Sequence, residues 1–466
     1  MTTDSFSALA LLPTLLPGLD ALGYSTMTPI QAHALPAILA GRDVIAQAPT
    51  GSGKTAAFGL GLLQRLALDS SGAVQSGTQA VVLCPTRELA DQVARQLRTL
   101  AVGIPHLKIA VLCGGIPLAP QLASLEAHAP QVVVGTPGRI QELLDKQALR
   151  FDGVRTVVLD EADRMLDMGF EDAIRAIVKR TPKTRQGLLF SATFPDPIRV
   201  LANAMLRDAL EVSVEGDTHA PAIAEHFFEV EPARKAPLLA ALLLQYRPAS
   251  SVVFCNMRRD TEEVAGSLAH YGFAALALHG DMEQRDRDEV LVRFANRSCS
   301  VLVASDVAAR GLDIADLGAV VNFELPTDAD TYLHRIGRTG RAGREGLALS
   351  LVAPKERSRA DLIEARQGTP LRWERAAPLA GKPKDVPLAP MVTLRIDAGR
   401  GDKLRPGDIV GALTGEAGGL HKDAIGKIDV YPTRSYVAVA RAEAAHALDQ
   451  LRAGKIKGRK FRVNRV

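Results

Sequence analysis

The most constraining feature of this 466-residue chain is a recurrence. Short apolar runs return at Val44-Ile45-Ala46, Val81-Val82-Leu83-Cys84, Val132-Val133-Val134, Val157-Val158-Leu159 and Leu188-Leu189-Phe190, with stretches of helical spacing such as 54–66 and 88–100 between them. Runs so short and apolar suit strands buried on both faces, and strands alternating with helices make βαβ units around a parallel sheet. The rhythm pauses at Glu215-Gly216-Asp217-Thr218-His219-Ala220-Pro221, a polar segment marked by Gly and Pro. It resumes with Val252-Val253-Phe254-Cys255, Val301-Leu302-Val303-Ala304 and Ala319-Val320-Val321. Because one core rarely serves a chain this long, two tandem α/β domains are expected. A second break, 376–390, carries Pro378, Pro383, Pro387 and Pro390 and predicts a stiff extended tether. The expected division is 1–215, 216–375, a linker over 376–390 and a small domain over 391–466.

Charge is distributed unevenly over this plan. Residues 391–466 hold fifteen Lys and Arg against eight Asp and Glu, which leaves 41 of the 56 basic and 44 of the 52 acidic residues to the rest of the chain. The whole positive excess lies in the last segment, as in a polyanion-binding module joined to a near-neutral engine. Met1-Thr2-Thr3-Asp4 has no basic lead into an apolar run, and no stretch has the length and apolarity of a membrane span. Cys84, Cys113, Cys255 and Cys299 are too scattered to pair as metal ligands and are expected to be buried thiols. A cytoplasmic protein with no membrane partner is expected.

Ligands of open α/β sheets bind beyond the carboxyl ends of the strands. The first run leads into Ala48-Pro49-Thr50-Gly51-Ser52-Gly53-Lys54-Thr55. Its glycines let backbone amides turn towards phosphates, Lys54 reaches the outer phosphates and the Thr55 hydroxyl ligates Mg2+. Ala48 stands where the motif usually has Gly. The run at 157–159 ends in Asp160-Glu161-Ala162-Asp163, three carboxylates in four positions. Such a cluster at a buried strand end is costly unless its charge is compensated. A Mg2+ ion on nucleotide phosphates would do so, with Asp160 as its anchor and Glu161 placed to deprotonate the attacking water.

Asp160-Glu161-Ala162-Asp163 together with 48–55 resembles the DEAD-box ATP-dependent RNA helicases, whose motifs stand in order over 6–341. The resemblance implies two RecA-like parallel-sheet domains that use ATP and Mg2+. It also implies that Gln31, in Thr28-Pro29-Ile30-Gln31, hydrogen-bonds adenine while Phe6 stacks on it. Taken alone, Phe6 reads as a core aromatic. Pro85-Thr86-Arg87-Glu88-Leu89-Ala90, Gly114-Gly115 and Thr136-Pro137-Gly138-Arg139 match the family's RNA-contacting elements, which makes Arg87, Gly115, Thr136 and Arg139 candidate contacts. In Ser191-Ala192-Thr193, the hydroxyls are placed by resemblance to bond Asp163 and couple the nucleotide and RNA sites, although a helix N-cap is the alternative.

In the second domain the resemblance extends over 252–256, over Gln284-Arg285-Asp286-Arg287 and over 305–314. It implies RNA contacts for Arg287 and Ser305, the latter where Thr is commoner, and a ribose contact for Asp313. His334-Arg335-Ile336-Gly337-Arg338-Thr339-Gly340-Arg341 matches the motif whose arginines reach the γ-phosphate, assigning Arg338 and Arg341 to catalysis and His334 to coupling. Arginine fingers are worth about 10³–10⁵ in rate. Supplied from another domain, they make hydrolysis contingent on closure. Local strand bending that opens a short duplex, rather than long tracking, is the mechanism implied.

Within 391–466, strand-like runs at 392–396 and 436–440 and helix candidates at 406–413, 422–425 and 442–451 suggest a small α+β domain on the RNA-recognition-motif (RRM-like) plan. Tyr436 is the one candidate for base stacking. Segments 405–413 and 426–430 and the basic end Lys455, Lys457, Arg459 and Lys460 are similar to a C-terminal domain found in one branch of the family. That similarity implies a grip on a 23S rRNA hairpin and a role on the large ribosomal subunit precursor; separately, a monomer is expected.

Overall fold

The computed structural model describes residues 5–49, 51–66, 74–214, 223–309, 317–340, 345–375, 386–415 and 419–466. Thr50, Asp313 and Arg341, the polar break at 215–221 and the part of the expected tether over 376–385 lie outside them. The chain divides into two compact units, residues 1–220 with 311–313 and residues 221–310 with 314–466.

In the first unit, strands β1 (Val44–Gln47), β2 (Ala80–Leu83), β3 (Ile109–Leu112), β4 (Val132–Gly135), β5 (Thr156–Asp160), β6 (Gln186–Ser191) and β7 (Leu210–Ser213) form one sheet in the order β3-β4-β2-β5-β6-β1-β7. Every pairing is parallel. Alternate residues point to opposite faces, so Val82, Val134, Val158 and Leu188 join one core while Val81, Val133, Val157 and Leu189 join the other. Burial on both faces explains why these strands read as unbroken apolar runs. The edge strands β3 and β7 were not among the runs singled out, and β7 has only one buried residue.

The second unit repeats the plan. Strands β8 (Ile223–Glu229), β9 (Ser251–Cys255), β10 (Ala275–Leu278), β11 (Val301–Ser305), β12 (Ala319–Asn322), β13 (Gly346–Val352) and β14 (Trp373–Glu374) make a parallel sheet in the order β10-β11-β9-β12-β13-β8-β14. A smaller antiparallel sheet follows from β15 (Met391–Ile396), β16 (Ile425–Val430), β17 (Ser435–Ala440) and β18 (Val463–Arg465), ordered β16-β17-β15-β18. Helices Pro406–Thr414 and Ala444–Ala453 cover one face of it, packing Ile409, Leu413, Ala447 and Leu451 on Val392, Leu394, Val437 and Val439. This is the expected strand-helix-strand-strand-helix-strand order. The helix candidate at 422–425 is only a 3-10 turn, Lys422–Ala424, and its last residue opens β16.

The opposite face of that small sheet is docked within the second unit. Asn296 Nδ2 donates to the Thr393 hydroxyl at 2.8 Å, and Arg395 Nη1 and the Tyr436 hydroxyl each donate to Glu289 Oε2 at 3.3 Å. Glu289 lies on helix Gln284–Ala295. The expected tether is corrected where it is described, because Val386 is buried in the core of the second parallel sheet and the carbonyls of Ala389 and Pro390 both accept bonds from Arg441. Proline stiffens a segment without preventing an apolar residue beside it from packing. All four cysteines are free and buried, and burial pushes the Cys113 and Cys299 thiols up to about 12.

Candidate functional site

The carboxyl ends of the first sheet carry two groups of candidate residues, and strand order sorts them. Gly51 to Thr55 follow β1, Asp160 and Glu161 lie at the end of β5, and Ser191 ends β6, so the nucleotide candidates occupy one half of the sheet. Arg87 follows β2, Gly115 follows β3, and Thr136 and Arg139 follow β4 in the other half.

In the loop after β1, Gly51 and Gly53 have φ of 85° and 92°, where L side chains are strained. A Cβ on Gly53 would also meet Gln31 Nε2 at 2.5 Å. Gln31 braces this loop: its Oε1 accepts from Thr28 N at 2.9 Å and its Nε2 donates to the Gly53 carbonyl at 3.0 Å. One amide hydrogen and one lone pair remain for a base. Ala48 N donates to the Ser191 carbonyl, and Lys54, buried at the start of helix Lys54–Gln64, donates from Nζ to the Ala48 carbonyl at 2.8 Å. Ser52 Oγ is buried without a partner, and Thr55 is half-buried in the first helical turn. Phe6 is 4% exposed, belongs to the core and stacks on Tyr24 with ring centroids 6.3 Å apart, the core placement that its residue type alone suggests.

The three acids have distinct surroundings. Asp160 is buried, and its Oδ1 has no hydrogen-bond partner. Burial, opposed by Lys54 and reinforced by Glu161, pushes its carboxyl up to about 7. Glu161 adopts φ 56° and ψ 54°, a left-handed conformation that costs a non-glycine residue about 1–2 kcal/mol. Its Oε2 accepts from Arg164 Nη1 at 2.8 Å, a buried ion pair absent from the sequence reading. Asp163 Oδ2 accepts from Ala192 N at 3.1 Å, Thr193 N at 2.9 Å and the Thr193 hydroxyl at 3.0 Å. Burial pushes this carboxyl up, but the Thr193 amide, Lys54 and the remaining bonds outweigh it and hold Asp163 below the usual carboxylate range. Ser191 Oγ instead accepts from the Asp163 backbone N–H at 3.3 Å. The helix-cap alternative is not realised, because the next helix, Asp196–Met205, starts from Pro195.

This site suits a hard divalent cation. It offers the unpartnered Asp160 Oδ1 at the end of β5 and the Thr55 hydroxyl in the first turn of helix Lys54–Gln64, both oxygen donors of the kind Mg2+ takes. Among the described residues no group of three or more His, Cys, Asp or Glu could hold a metal by itself. That is expected where substrate phosphates and water supply the remaining ligands.

In the RNA-candidate half, the Thr136 hydroxyl accepts from Gly114 N at 3.3 Å, and Arg139 Nη2 donates to the Ile116 carbonyl at 3.0 Å. The loops after β3 and β4 are thus bound to each other. Gly135 permits the approach, since a Cβ there would lie 1.9 Å from the Leu112 carbonyl oxygen. Arg87 opens helix Arg87–Leu100 beside Asp91 at 3.6 Å.

Within the second unit, Ser305 ends β11, Arg287 sits in the first turn of Gln284–Ala295, and His334 lies on helix Ala329–Ile336, with buried Arg338 in the turn beyond. Lys455, Lys457, Arg459 and Lys460 are all exposed. Lys457 and Gly458 have φ of 52° and 78° in a tight turn, held by Lys457 Nζ on the Lys403 carbonyl at 2.9 Å and by Arg459 near Asp402 at 3.4 Å. The stacking candidate Tyr436 is corrected. It is 2% exposed and bonded to Glu289, so its ring presents no face to a base.

Comparisons agree with this layout. Residues 28–201 match the family model DEAD/DEAH box helicase, 234–343 match Helicase conserved C-terminal domain, and 393–465 match DbpA RNA binding domain. The chain is 53% identical over 460 residues to ATP-dependent RNA helicase DbpA of Escherichia coli (strain K12), covering 98% of this chain and 99% of that one. It is 43% identical over 367 residues to DEAD-box ATP-dependent RNA helicase CshA of Bacillus cereus, covering 78% of this chain and 68% of that one. A structure of S. cerevisiae Dbp5 bound to RNA and ADP BeF3 superposes with a TM-score of 0.71 at 33% identity, covering 80% of this chain and 95% of that one. The two parallel sheets are those of the RecA-like helicase core, and the chain belongs to the DEAD-box ATP-dependent RNA helicases, with a DbpA RNA-binding domain at its C-terminal end.

Proposed function

We propose that this helicase opens short RNA duplexes locally, held to a 23S rRNA hairpin by residues 391–466, during assembly of the large ribosomal subunit. The observation that carries the ATP part is the unpartnered, buried Asp160 oxygen beside the phosphate loop. Thr55 and Asp160 would hold Mg2+, which when bound neutralises phosphate charge. Thr50, Gly51, Ser52, Gly53 and Lys54 cradle the phosphates, with Ala48 and Gln31 shaping the loop and Asp313 meeting the ribose. Glu161 takes the proton of the attacking water once Arg164 releases it. Arg338 and Arg341 stabilise the charge that develops on the γ-phosphate. Asp163, Ser191 and Thr193, with His334, transmit the nucleotide state to the RNA contacts Arg87, Gly115, Thr136, Arg139, Arg287 and Ser305. The hydrogen bonds from Thr193 to Asp163 support this transmission, since they join the ends of β5 and β6. The protein works as a monomer in the cytoplasm, a reading to which four free, buried thiols lend support.

The ribosomal assignment rests on similarity to the DbpA-type domain and on the exposed basic turn. It is tested by RNA-stimulated ATPase activity with a 23S hairpin fragment and with an unrelated hairpin, in the parent and in a variant with Lys455, Lys457, Arg459 and Lys460 changed to Gln. The parent should respond to the 23S fragment at far lower RNA concentration. Each lost phosphate contact should reduce the salt slope by about 0.7 to 0.9. Equal response to both hairpins would remove the ribosomal assignment and leave the helicase intact.

A further inference from the structure

The amino ends of the first sheet, the edge away from the nucleotide and RNA candidates, collect arginines. Arg155, Arg185, Arg42 and Arg207 stand one to three residues before β5, β6, β1 and β7, which are consecutive in the sheet. Arg65 caps helix Lys54–Gln64 beside them, and its Nη1 lies 2.6 Å from where a Cβ on Gly41 would stand. None of these five side chains is in an ion pair with a described residue. Arg185 and Arg207 donate from Nη2 to carbonyls, those of Met205 at 2.9 Å and Arg185 at 2.7 Å. The adjoining acids in sequence are Asp43 and Asp208, and both Asp43 oxygens are taken by backbone N–H groups, of Gly187 and Arg207, each at 2.8 Å. Residues 1–220 hold 19 Lys and Arg against 21 Asp and Glu, so this local surplus of positive charge runs against the balance of its own unit.

Four buried side-chain atoms at the same edge have no hydrogen-bond partner among the described residues: Arg65 Nε, Thr156 Oγ1, Arg185 Nε and Gln186 Oε1. Thr156 and Gln186 are register partners at the first positions of β5 and β6. Gln186 Nε2 donates to the Arg42 carbonyl at 2.7 Å, which puts its amide at the Gly41-Arg42 turn against which Arg65 rests. Burial, and after it the Arg155 guanidinium, lower the Arg65 pKa against the pull of Asp43. Burial also lowers that of Arg185, with Asp43 opposing and Arg207 reinforcing the shift. Like charges therefore face each other here. Arg335 in the second unit shows the contrary case. It is 2% exposed, and its guanidinium donates to Asp306, Asn256, Asn322 and the Glu324 carbonyl. Unpaired buried polar atoms are rare in folded proteins, and each asks for a water, an ion or a ligand.

We propose that this edge is a second phosphate-binding site, one strand length (roughly 15 Å) from the nucleotide loop, where Arg65 and Arg155 grip a phosphate group with Arg42 beside them. A planar guanidinium meets two phosphate oxygens at once, and such charge-assisted bonds are the stronger kind. Water would satisfy the orphaned atoms but not the charge, and an anion satisfies both. The phosphate belongs to a free polyphosphate or to the backbone of RNA, two sources with one chemistry. No residue of the nucleotide loop takes part.

The test uses the full chain with its nucleotide site filled by a non-hydrolysable ATP analogue and excess Mg2+. Binding of labelled inorganic pyrophosphate is then measured by equilibrium dialysis. The parent should bind pyrophosphate alongside the analogue. Arg65→Gln with Arg155→Gln should weaken that binding about a hundredfold, roughly tenfold for each charge-assisted bond lost, while RNA-stimulated kcat stays at the parent's value. Pyrophosphate held by the nucleotide loop would not respond to these two substitutions. A parent that binds no pyrophosphate beside the analogue overturns the proposal, as does a folded double variant that binds it as tightly as the parent. If the double variant loses its cooperative melting transition, Arg155→Gln alone decides. Arg155 is exposed, so its loss leaves the core alone and should weaken binding about tenfold; an unchanged affinity there is equally fatal. A long single-stranded RNA separates the two sources. If it displaces pyrophosphate from the parent, the site holds RNA backbone, and if pyrophosphate stays bound, the site serves a free anion.

Discussion

Asp160 and Arg335 are both buried charged side chains at the carboxyl ends of parallel strands, and they are opposites. Asp160 has a carboxylate oxygen with no partner and a carboxyl raised to about 7, whereas Arg335 has every donor satisfied. The first site leaves a carboxylate oxygen open, in keeping with the proposed cation. The second is complete within its own unit and serves as a fixed frame. A buried polar group left unpaired lowers stability by about 1–3 kcal/mol, more if charged, so such a group gains from any ligand that reaches it. A buried charge with all partners present marks where something must not move.

Three outcomes sharpen or break this contrast. The largest concerns activity. Glu161→Gln should reduce RNA-stimulated ATP hydrolysis by about 10²–10⁴, the usual contribution of a general base, and should also lower the melting temperature, because the buried Arg164 guanidinium loses its charged partner. Unaltered phosphate release would remove Glu161 from catalysis.

The second compares stabilities directly. Arg335→Ala strands the Asp306 carboxylate and the Asn256 and Asn322 amides, and should cost the second unit about 3–5 kcal/mol. Asp160→Asn should do the reverse in buffer free of divalent cations. Between the ordinary carboxyl value of 3.8 and about 7, the folded chain retains a proton on Asp160 that the unfolded chain has lost. Stability therefore falls as pH rises through that window, and the loss is complete above it. At pH 8 Asp160→Asn should melt higher than the parent, with the gap closing towards pH 4. Thermal scans at the two pH values check both halves, and an Asp160→Asn that melts lower at pH 8 would contradict the description of Asp160 as open.

The smallest effect tests the docked face of the C-terminal sheet. Tyr436→Phe removes one hydrogen bond to Glu289, worth about 1 kcal/mol, and should leave RNA affinity unchanged. A large loss of affinity would return Tyr436 to the RNA interface.

Much of the site was legible because its residues are neighbours in sequence. The loop over 48–55 and the acids at 160–163 each announce their chemistry within eight positions. The link from Asp163 to Thr193 came only by resemblance, and its form came from the fold: the Thr193 hydroxyl donates to the carboxylate, while the Ser191 hydroxyl accepts from the backbone. Arg335 could not be told from Arg338 by pattern, since both lie in one basic run. Tyr436, the stacking candidate of the C-terminal domain, is buried, because aromatic identity does not reveal which face of a sheet is covered, whereas Phe6 lies in the core as its residue type alone suggests.

By itself, the sequence determined strands β1, β2, β4, β5, β6, β9, β11 and β12 of the two parallel sheets, the two α/β repeats, the small α+β domain and the loops at strand ends that hold the chemistry. These follow from apolar periodicity and glycine placement, which act over a few residues. Only the tertiary structure decided strand order, and with it the separation of nucleotide and RNA candidates into two halves of one sheet. It also decided which carboxylate lacks a partner, and that Glu289 holds down the C-terminal sheet. Among the described residues, hydrogen-bond satisfaction depends on groups up to 164 positions apart, as from Asp43 to Arg207, and no local pattern records which of them will meet.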